Sequence, residues 1–377
     1  MTITLDSTTD TLLDRAAAVG TVIAGHAARH DVEASYVQEG LDELRGAGLL
    51  AIGVPVELGG AGATIREIAA FQRELAHHCG STALATSMHQ HVVAFTAWRY
   101  RRGLPGAEAT LRRVAEEGIV LVSTGGGDWT NPKGEAAKAE GGYVVSGHKR
   151  FASQSPVGAA MSTMFEFDDP EQGRRVLNMA VPFAADGVTV LDNWNTLGMR
   201  GTASHDVVLD NVFVPEDKVV ANRPYGVVDG PLQVIASVAM PIISAVYLGV
   251  AEAAFAAAVD GLGDKTPDAL VQRQVGLMAH RLQVADWALQ GALDAVGDDP
   301  TPAIERYAAV MLAKREIALA GIEVCDLAME VAGGSAYFKG SVIERAYRDI
   351  RAVKFHPITP EATLLHAGRL ALGLSED

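Results

Sequence analysis

The sequence predicts an α+β protein with three consecutive domains: a helical N-terminal domain (residues 1–117), a middle antiparallel β domain (118–225) and a C-terminal helical bundle (226–377). Two observations support this prediction. The spacing of apolar residues is helical up to about residue 117, changes to short β-rich runs, and becomes helical again after about residue 232. A chain of 377 residues that is 49% hydrophobic is also long enough to bury a sizeable core in more than one domain.

The N-terminal domain shows the spacing of amphipathic helices. Ile65, Ile68 and Leu75 recur on one helical face. Thr64 and Glu67 precede this face at the spacing of a capping box, in which each side chain bonds the backbone N–H of the other residue. The sequence therefore predicts a helix that begins directly after Thr64.

The middle domain contains short runs rich in β-branched residues, and Gly, Asp and Pro separate them. These runs are 119–123, 143–146, 176–181, 188–190 and 207–209. No helix long enough for a parallel crossover lies between them, so we expect one antiparallel sheet.

The C-terminal domain carries helix-start signals in which a hydroxyl residue precedes a proline. Proline is favoured in the first helical turn because its missing N–H has no intrahelical partner there. The three predicted starts are Thr266-Pro267, Thr301-Pro302 and Thr359-Pro360.

Composition excludes several classes of partner. A net charge of -15 gives no basic surface for nucleic acid or an anionic membrane. The N-terminus lacks a secretory pattern, and we find no uninterrupted apolar run of about 18 residues that would cross a membrane. Cys79 and Cys325 lie far apart in apolar helical patterns without metal-ligand spacing, which predicts buried free thiols, no metal and a cytoplasmic protein.

Four motifs occur in an order that resembles one family. They are the turn Gly48–Gly62, the hairpin Gly141–Phe151, the segment Leu197–Ser204 followed by Val212–Pro215, and Gly333-Gly334 followed by Arg348-Asp349. Together with the helix, sheet, helix order, they resemble the acyl-CoA dehydrogenase superfamily along nearly the whole chain. The resemblance implies a C-terminal four-helix bundle and a flavin-dependent oxidoreductase.

The resemblance also implies residues for one half of a flavin site. Ser123 and Thr124 end a strand before a glycine run, and they match positions that approach the flavin ring and phosphates. Phe151 and Ser153 match the aromatic and hydroxyl positions against the ring, with Ser153 donating a hydrogen bond. Small hydroxyls and close backbone N–H groups suit the edge of a flavin.

The second half of the site is implied near the C-terminus. Glu330, Gly333, Gly334 and Thr359 match positions that bind the cofactor of a neighbouring subunit, which implies a homotetramer. The family's Arg-x-x-Phe segment at the flavin diphosphate is absent from residues 260–273. FAD and FMN therefore both remain open, and reduced FMN delivered by a separate flavin reductase is an alternative.

The catalytic base of acyl-CoA dehydrogenases is missing at its usual place. That reaction removes an α-proton by a glutamate while hydride leaves to the flavin, but Pro357 stands at the matching position. The first helix of the C-terminal domain, around residues 237–241, supplies no carboxylate either. Glu361 is the nearest acid, and interaction with a helix dipole accounts for its position. Acyl thioester dehydrogenation with an unusual base and a non-catalytic scaffold stay as alternatives.

The residues present resemble instead the two-component flavin monooxygenases, such as the dibenzothiophene and 4-hydroxyphenylacetate monooxygenases. Ser153 and His356 fall at the matching serine and histidine positions. The third expected group is His89 or His91, which point about 200° apart on a helix, and the sequence leaves both open. A neutral histidine can take a proton from a substrate. We therefore predict a flavin monooxygenase that acts on a small apolar substrate bound by the helices around residues 88–98 and 240–247.

Overall fold

The computed structural model describes residues 11–374 and confirms the predicted fold class. Five helices form the N-terminal region: α1 (Leu12–Glu33), α2 (Gln38–Gly46), α3 (Ile65–His78), α4 (Gly80–Tyr100) and α5 (Ala107–Glu117). The predicted start of α3 is confirmed, since Thr64 and Glu67 form a complete capping box. The α4 helix is almost entirely buried and forms one wall of the central cavity described below.

The middle region is an eight-stranded sheet in the order β6-β7-β3-β2-β4-β5-β8, with β1 paired to β4. Its strands are β1 (Val120–Ser123), β2 (Glu135–Ala139), β3 (Gly142–Ala152), β4 (Gly158–Asp169), β5 (Gly173–Pro182), β6 (Val188–Val190), β7 (His205–Pro215) and β8 (Val219–Pro224). The prediction of a wholly antiparallel sheet is wrong at two pairs, because β1 and β2 both run parallel to β4. The β2–β3 hairpin provides the return that a parallel pair needs, so no crossover helix is required.

The C-terminal region contains α6 (Gly230–Asp260), α7 (Ala269–Val296), α8 (Ile304–Ala332), α9 (Val342–Asp349) and α10 (Pro360–Ala371). Thr359 caps α10 as predicted. The start predicted at Thr266-Pro267 is wrong, because the Asp268 carboxylate accepts from two N–H groups and starts α7 two residues later. The start predicted at Thr301-Pro302 is also displaced, since α8 begins at Ile304 without a side-chain cap.

The α6 helix is the apolar centre of the C-terminal region. It is long and apolar enough to cross a membrane by length and composition, so the expectation that no such run exists is wrong. In the described part of the chain it is the one helix that passes this test, and 94% of its most apolar window is buried inside the protein. Burial on all sides explains why the helix is hydrophobic all round.

The Arg348-Asp349 pair connects all three regions. Arg348 donates to the buried carboxylate of Asp31 on α1 (2.8 Å) and to Glu344 one turn earlier on α9 (2.6 Å). Asp349 accepts from the backbone N–H of Met199, in the loop between β6 and β7. Burial raises the pKa of Asp349 to about 6. This motif therefore holds the α9 helix against α1 and against the loop that leads into β7.

Candidate active site

A cavity of about 160 Å³ lies between the sheet, α4, α6 and the segment after α9. Its helical wall is apolar and includes Leu84, Met88, Val92, Phe95, Met240 and Ile243. Its sheet side carries small uncharged polar groups, namely Ser123, Thr124, Ser153, Ser162, Asn178 and Ser204. Apart from Leu84, these apolar wall residues come from the two helical stretches that the sequence predicts, 88–98 and 240–247.

The structure brings most of the predicted site residues together at this cavity. Those that line it are His91, Ser123, Thr124, Phe151, Ser153 and His356. Thr359 lines an adjoining hollow of about 490 Å³, which shares His356 and Pro357 with the cavity. Glu330 and Gly334 lie exposed at the end of α8, with Gly333 beside them, and none of the three lines either space.

The two candidate histidines of α4 have different surroundings. His89 is completely buried, and its Nδ1 accepts from the backbone N–H of Leu121 at 3.0 Å. Its Nε2 therefore carries the proton and donates to the carbonyl of Leu50 at 2.9 Å. Because both ring nitrogens are used by the backbone, His89 joins α4 to β1 and to the turn around residue 50. His91, and not His89, reaches the cavity.

His91 is neutral at the cavity wall. Burial lowers the pKa of His91 to about 4. Its Nε2 lies 3.0 Å from the hydroxyl oxygen of Ser123, the last residue of β1. The predicted flavin-binding serine and the α4 histidine therefore form one hydrogen-bonded pair.

His356 lines the same cavity from the segment between the helical turn after α9 and α10. Its Nε2 lies 2.7 Å from the hydroxyl of Tyr247 on α6. Burial lowers the pKa of His356 to about 3, with further contributions from Lys314 and His91. The ammonium group of Lys314 donates to the backbone carbonyls of His356 and Ile358, both at 2.8 Å, and holds this segment against α8.

Ser153 belongs to a chain of hydroxyl groups whose direction is fixed at its end. Its oxygen lies 2.7 Å from that of Ser204, which lies 2.7 Å from that of Thr202, and Thr202 donates to the carbonyl of Met199 at 2.9 Å. A carbonyl oxygen can only accept, so Thr202 donates to Met199. Each remaining contact then holds one proton only if Ser204 donates to Thr202 and Ser153 donates to Ser204, away from the cavity. Ser153 therefore offers lone pairs to the cavity, in contrast to the hydrogen-bond donation implied by the family resemblance.

The glycine run after β1 packs against other parts of the protein. The N–H of Gly125 donates to the carbonyl of Arg150 at 2.8 Å. A Cβ on Gly126 would lie 2.0 Å from a ring carbon of Pro357, whereas a Cβ on Gly127 would meet nothing within 4 Å. Gly126 is thus required for the approach of the Pro357 segment, and Gly127 is in open space.

Aromatic and amide side chains that sequence reasoning missed complete the cavity. Trp194 packs edge-to-face on Phe151 with ring centroids 6.1 Å apart. Asn178, on β5, receives a hydrogen bond at its side-chain oxygen from the buried Arg223 at 3.1 Å. Trp194 lies in an irregular loop and Asn178 in an apolar strand, so no periodic pattern identifies either one. Ser204 belongs to the motif Leu197–Ser204, but its contact with Ser153 depends on the fold.

The lining of the cavity fits a neutral flat ring and lacks an acid. Among the residues that line it, none is Asp, Glu, Lys or Arg. Glu361, the nearest sequence candidate for a base, is exposed in the first turn of α10 and does not line the cavity. The uncharged hydroxyls and aromatic groups suit the edge and faces of an isoalloxazine ring. Ser123, Thr124, Phe151 and Ser153 are the residues that would hold it.

Comparison with known protein families agrees with this architecture. The N-terminal, middle and C-terminal domain models of acyl-CoA dehydrogenase match residues 11–101, 123–212 and 241–361. These matches cover most of the chain in the expected order.

The relatives include acyl-CoA dehydrogenases as well as nitrososynthases and a monooxygenase. The L-evernosamine nitrososynthase of Micromonospora sp. is 29% identical over 390 residues, covering 97% of this chain and 91% of that protein. The dibenzothiophene monooxygenase of Rhodococcus erythropolis is 28% identical, covering 84% of this chain and 82% of that protein. The structure of KijD3 in complex with FMN and a dTDP-amino sugar has a TM-score of 0.85 at 28% identity, covering 97% and 93%.

The three family models, the relatives and the geometry of the cavity lead to the same assignment. The chain is a flavin-dependent oxidoreductase that belongs to the acyl-CoA dehydrogenase superfamily.

Proposed function

We propose that this protein is a flavin monooxygenase that uses reduced FMN or FAD and O₂ to oxygenate a small, uncharged, largely apolar substrate. The observation that carries the proposal is the cavity lining, which has two neutral histidines and no carboxylate. Dehydrogenation of an acyl thioester needs a base at the α-carbon, and no acid among the lining residues can supply it.

The proposed reaction balances with two electrons from the flavin. Reduced flavin gives two electrons and two protons, one oxygen atom of O₂ enters the substrate, and the other leaves as water. A separate flavin reductase would supply the reduced flavin. When bound, the flavin would provide the electron transfer to O₂, while His91 and His356 would bond the reacting oxygen or the substrate. The helical wall would exclude bulk water.

The absence of charge at the cavity restricts the substrate class. KijD3 binds a dTDP-amino sugar, and recognition of a diphosphate relies on Arg, Lys or clustered N–H donors. No Arg or Lys lines the cavity here. A neutral heterocycle or another compact apolar molecule fits the wall of Leu84, Phe95 and Ile243 better than a nucleotide sugar.

We propose a homotetramer in the cytoplasm as the working form. Glu330, Gly333 and Gly334 lie away from the chain's own cavity, as residues that serve a neighbouring subunit must. Close to them, the side chains of Tyr337 and Phe338 are 83% and 74% exposed. Such large apolar groups on one surface favour contact with a second copy of the chain.

Oxygen incorporation tests the function directly. The protein is mixed anaerobically with photoreduced FMN or FAD and then with ¹⁸O₂, in the presence of a panel of neutral heterocycles that includes indole. The proposal predicts a product with one ¹⁸O atom and a matching decrease in released hydrogen peroxide. Peroxide release without any labelled product from the panel would contradict it.

The dehydrogenase alternative has its own readout. Acyl-CoA thioesters added under argon to the FAD-loaded protein would bleach the oxidised flavin if the chain dehydrogenated them. We expect no bleaching, and we expect Glu361→Gln to leave oxygen incorporation unchanged because Glu361 is exposed outside the cavity.

A further inference from the structure

We infer that Tyr247 is a positioning residue that fixes the tautomer of His356, so that His356 carries its proton on Nδ1 and serves the cavity as a hydrogen-bond donor. The tautomer rests on the geometry of the protein alone, whereas its use in oxygenation rests on the proposed function. The assignment replaces the role of proton acceptor that the sequence suggests for His356.

The first step concerns which partner donates in the Tyr247–His356 contact. Tyr247 is completely buried on α6, and its hydroxyl lies 2.7 Å from Nε2 of His356. Within residues 11–374 this is the one hydrogen bond that the hydroxyl makes. If Nε2 carried a proton, the buried phenol proton would have no acceptor, at a cost of about 1–3 kcal/mol. The phenol therefore donates to Nε2.

The second step concerns whether the phenol keeps its proton. Burial raises the pKa of Tyr247 well above its ordinary value, and the nearby Asp349 raises it further. The neighbouring groups do not favour a tyrosinate. Lys314 bonds the backbone of the His356 segment rather than Tyr247.

The third step places the remaining imidazole proton. A neutral imidazole has one proton, so an unprotonated Nε2 requires a protonated Nδ1. No protein acceptor for Nδ1 is found in the described chain, and His356 lines the cavity. Packing also restricts the ring, which meets Tyr247 at an interplanar angle of 61° with centroids 5.4 Å apart. The Nδ1–H is therefore left for a molecule bound in the cavity.

The consequence for chemistry is a division of labour between the two cavity histidines. A fixed N–H donor stabilises negative charge that develops on an oxygen atom, and it needs no reorganisation during the reaction. His356 cannot remove a substrate proton through Nε2, which Tyr247 blocks. His91, whose partner is the Ser123 hydroxyl, is left as the histidine able to exchange a proton.

Solid-state ¹⁵N NMR of protein labelled at histidine tests the tautomer without flavin or substrate. His356→Asn identifies the signals of His356 by their loss. In the wild-type protein we expect protonated Nδ1 and unprotonated Nε2. Tyr247→Phe removes the donor and should shift the ring to the Nε2–H form or a mixture. Tyr143→Phe, which changes a buried tyrosine in the sheet, should leave the His356 signals unchanged.

The wild-type spectrum decides the question even if Tyr247→Phe fails to fold. An Nε2–H tautomer in the wild-type protein, or His356 signals unchanged in folded Tyr247→Phe, would overturn the inference. In the ¹⁸O₂ assay, Tyr247→Phe should lower incorporation about tenfold relative to peroxide release, in line with the loss of an oriented donor. If the tautomer is as expected but the wild-type protein incorporates no oxygen, the proposed function fails while the assignment of Tyr247 stands.

Discussion

His89 and His91 differ by two positions on α4 and have separate roles. His89 bonds two backbone groups of other segments, whereas His91 faces the cavity. We predict that His89→Ala lowers the free energy of unfolding by about 2–4 kcal/mol, because it leaves the Leu121 N–H and the Leu50 carbonyl without partners. His91→Ala should change it by about 1 kcal/mol or less and should lower oxygen incorporation. Urea unfolding monitored by fluorescence measures the free energy of unfolding of both variants. Equal destabilisation would contradict the separate roles of His89 and His91.

Ser204 controls the direction of the Ser153 proton. With Ser204 present, Ser153 offers lone pairs to the cavity, which suits a reduced flavin whose N5 carries a proton. We predict that Ser204→Ala frees the Ser153 hydroxyl to donate and reduces the preference for reduced over oxidised FMN, by roughly fivefold for about 1 kcal/mol. Anaerobic and aerobic titrations of the protein give the two dissociation constants.

Ser155→Ala provides the control for this experiment. Ser155 is also buried and donates to the carbonyl of Ala203, but it is not part of the hydroxyl chain. An unchanged affinity ratio in Ser204→Ala, or an equal change in Ser155→Ala, would show that the chain does not set the direction of the Ser153 proton.

Residues predicted from the sequence line the cavity where a strand or helix sets the direction of their side chains. Ser123 ends β1 and Ser153 follows β3, and both face the cavity as their motifs imply. The choice between His89 and His91 was not available from the sequence, because it depends on how α4 is rotated against β1. The pairing of Tyr247 with His356 joins residues 109 positions apart and leaves no local pattern.

At the scale of elements, the glycine run after β1 meets the segment that carries His356. We predict that Gly126→Ala displaces this segment, because a Cβ would lie 2.0 Å from Pro357. The free energy of unfolding should fall by about 1–3 kcal/mol, as in other overpacked sites, and the affinity for flavin should fall with it. Gly127→Ala is the matched control, since its Cβ meets nothing within 4 Å. Similar effects of the two substitutions, measured by urea unfolding and flavin titration, would contradict this account.

Helix boundaries and strand direction show what a local pattern can miss. The Thr64 capping box and the Thr359 cap were predictable because each motif has its partner within one turn. Asp268 displaced the predicted start of α7, since its carboxylate accepts from the N–H groups of Leu270 and Val271 and caps the helix two residues after Thr266. The parallel β1–β4 pair could not be inferred from loop lengths, because a hairpin separates the two strands.

At the scale of the whole molecule, Asp349 makes the junction of the three regions sensitive to pH. Its pKa is about 6 in the folded protein and about 3.9 in an unfolded chain. The folded state therefore binds a proton that the unfolded state has released, and stability from this group is lost as the pH rises from about 4 to 6. The loss is of the order of 3 kcal/mol at most.

Asp349→Asn tests this effect because an amide oxygen can still accept from Met199. We predict that the variant gains stability relative to the wild-type protein as the pH rises from about 4 to 6, and that the difference is constant above about pH 7. Urea unfolding of both proteins across this range measures the difference. A difference that does not change with pH would show that Asp349 keeps an ordinary pKa in the folded protein.

The proposed homotetramer would link the exposed end of α8 to flavin binding. If Glu330, Gly333 and Gly334 serve the cavity of a neighbouring subunit, then breaking the interface must weaken flavin binding at a site that these residues do not line in their own chain. We predict that Phe338→Asp, which places a charge on a side chain that is 74% exposed, lowers the molar mass in light scattering and weakens flavin affinity about tenfold or more. Trp287→Asp, on the exposed face of α7, shows whether any charge on an apolar surface has the same effect. A Phe338→Asp protein that loses mass but keeps its flavin affinity would place the whole flavin site within one chain.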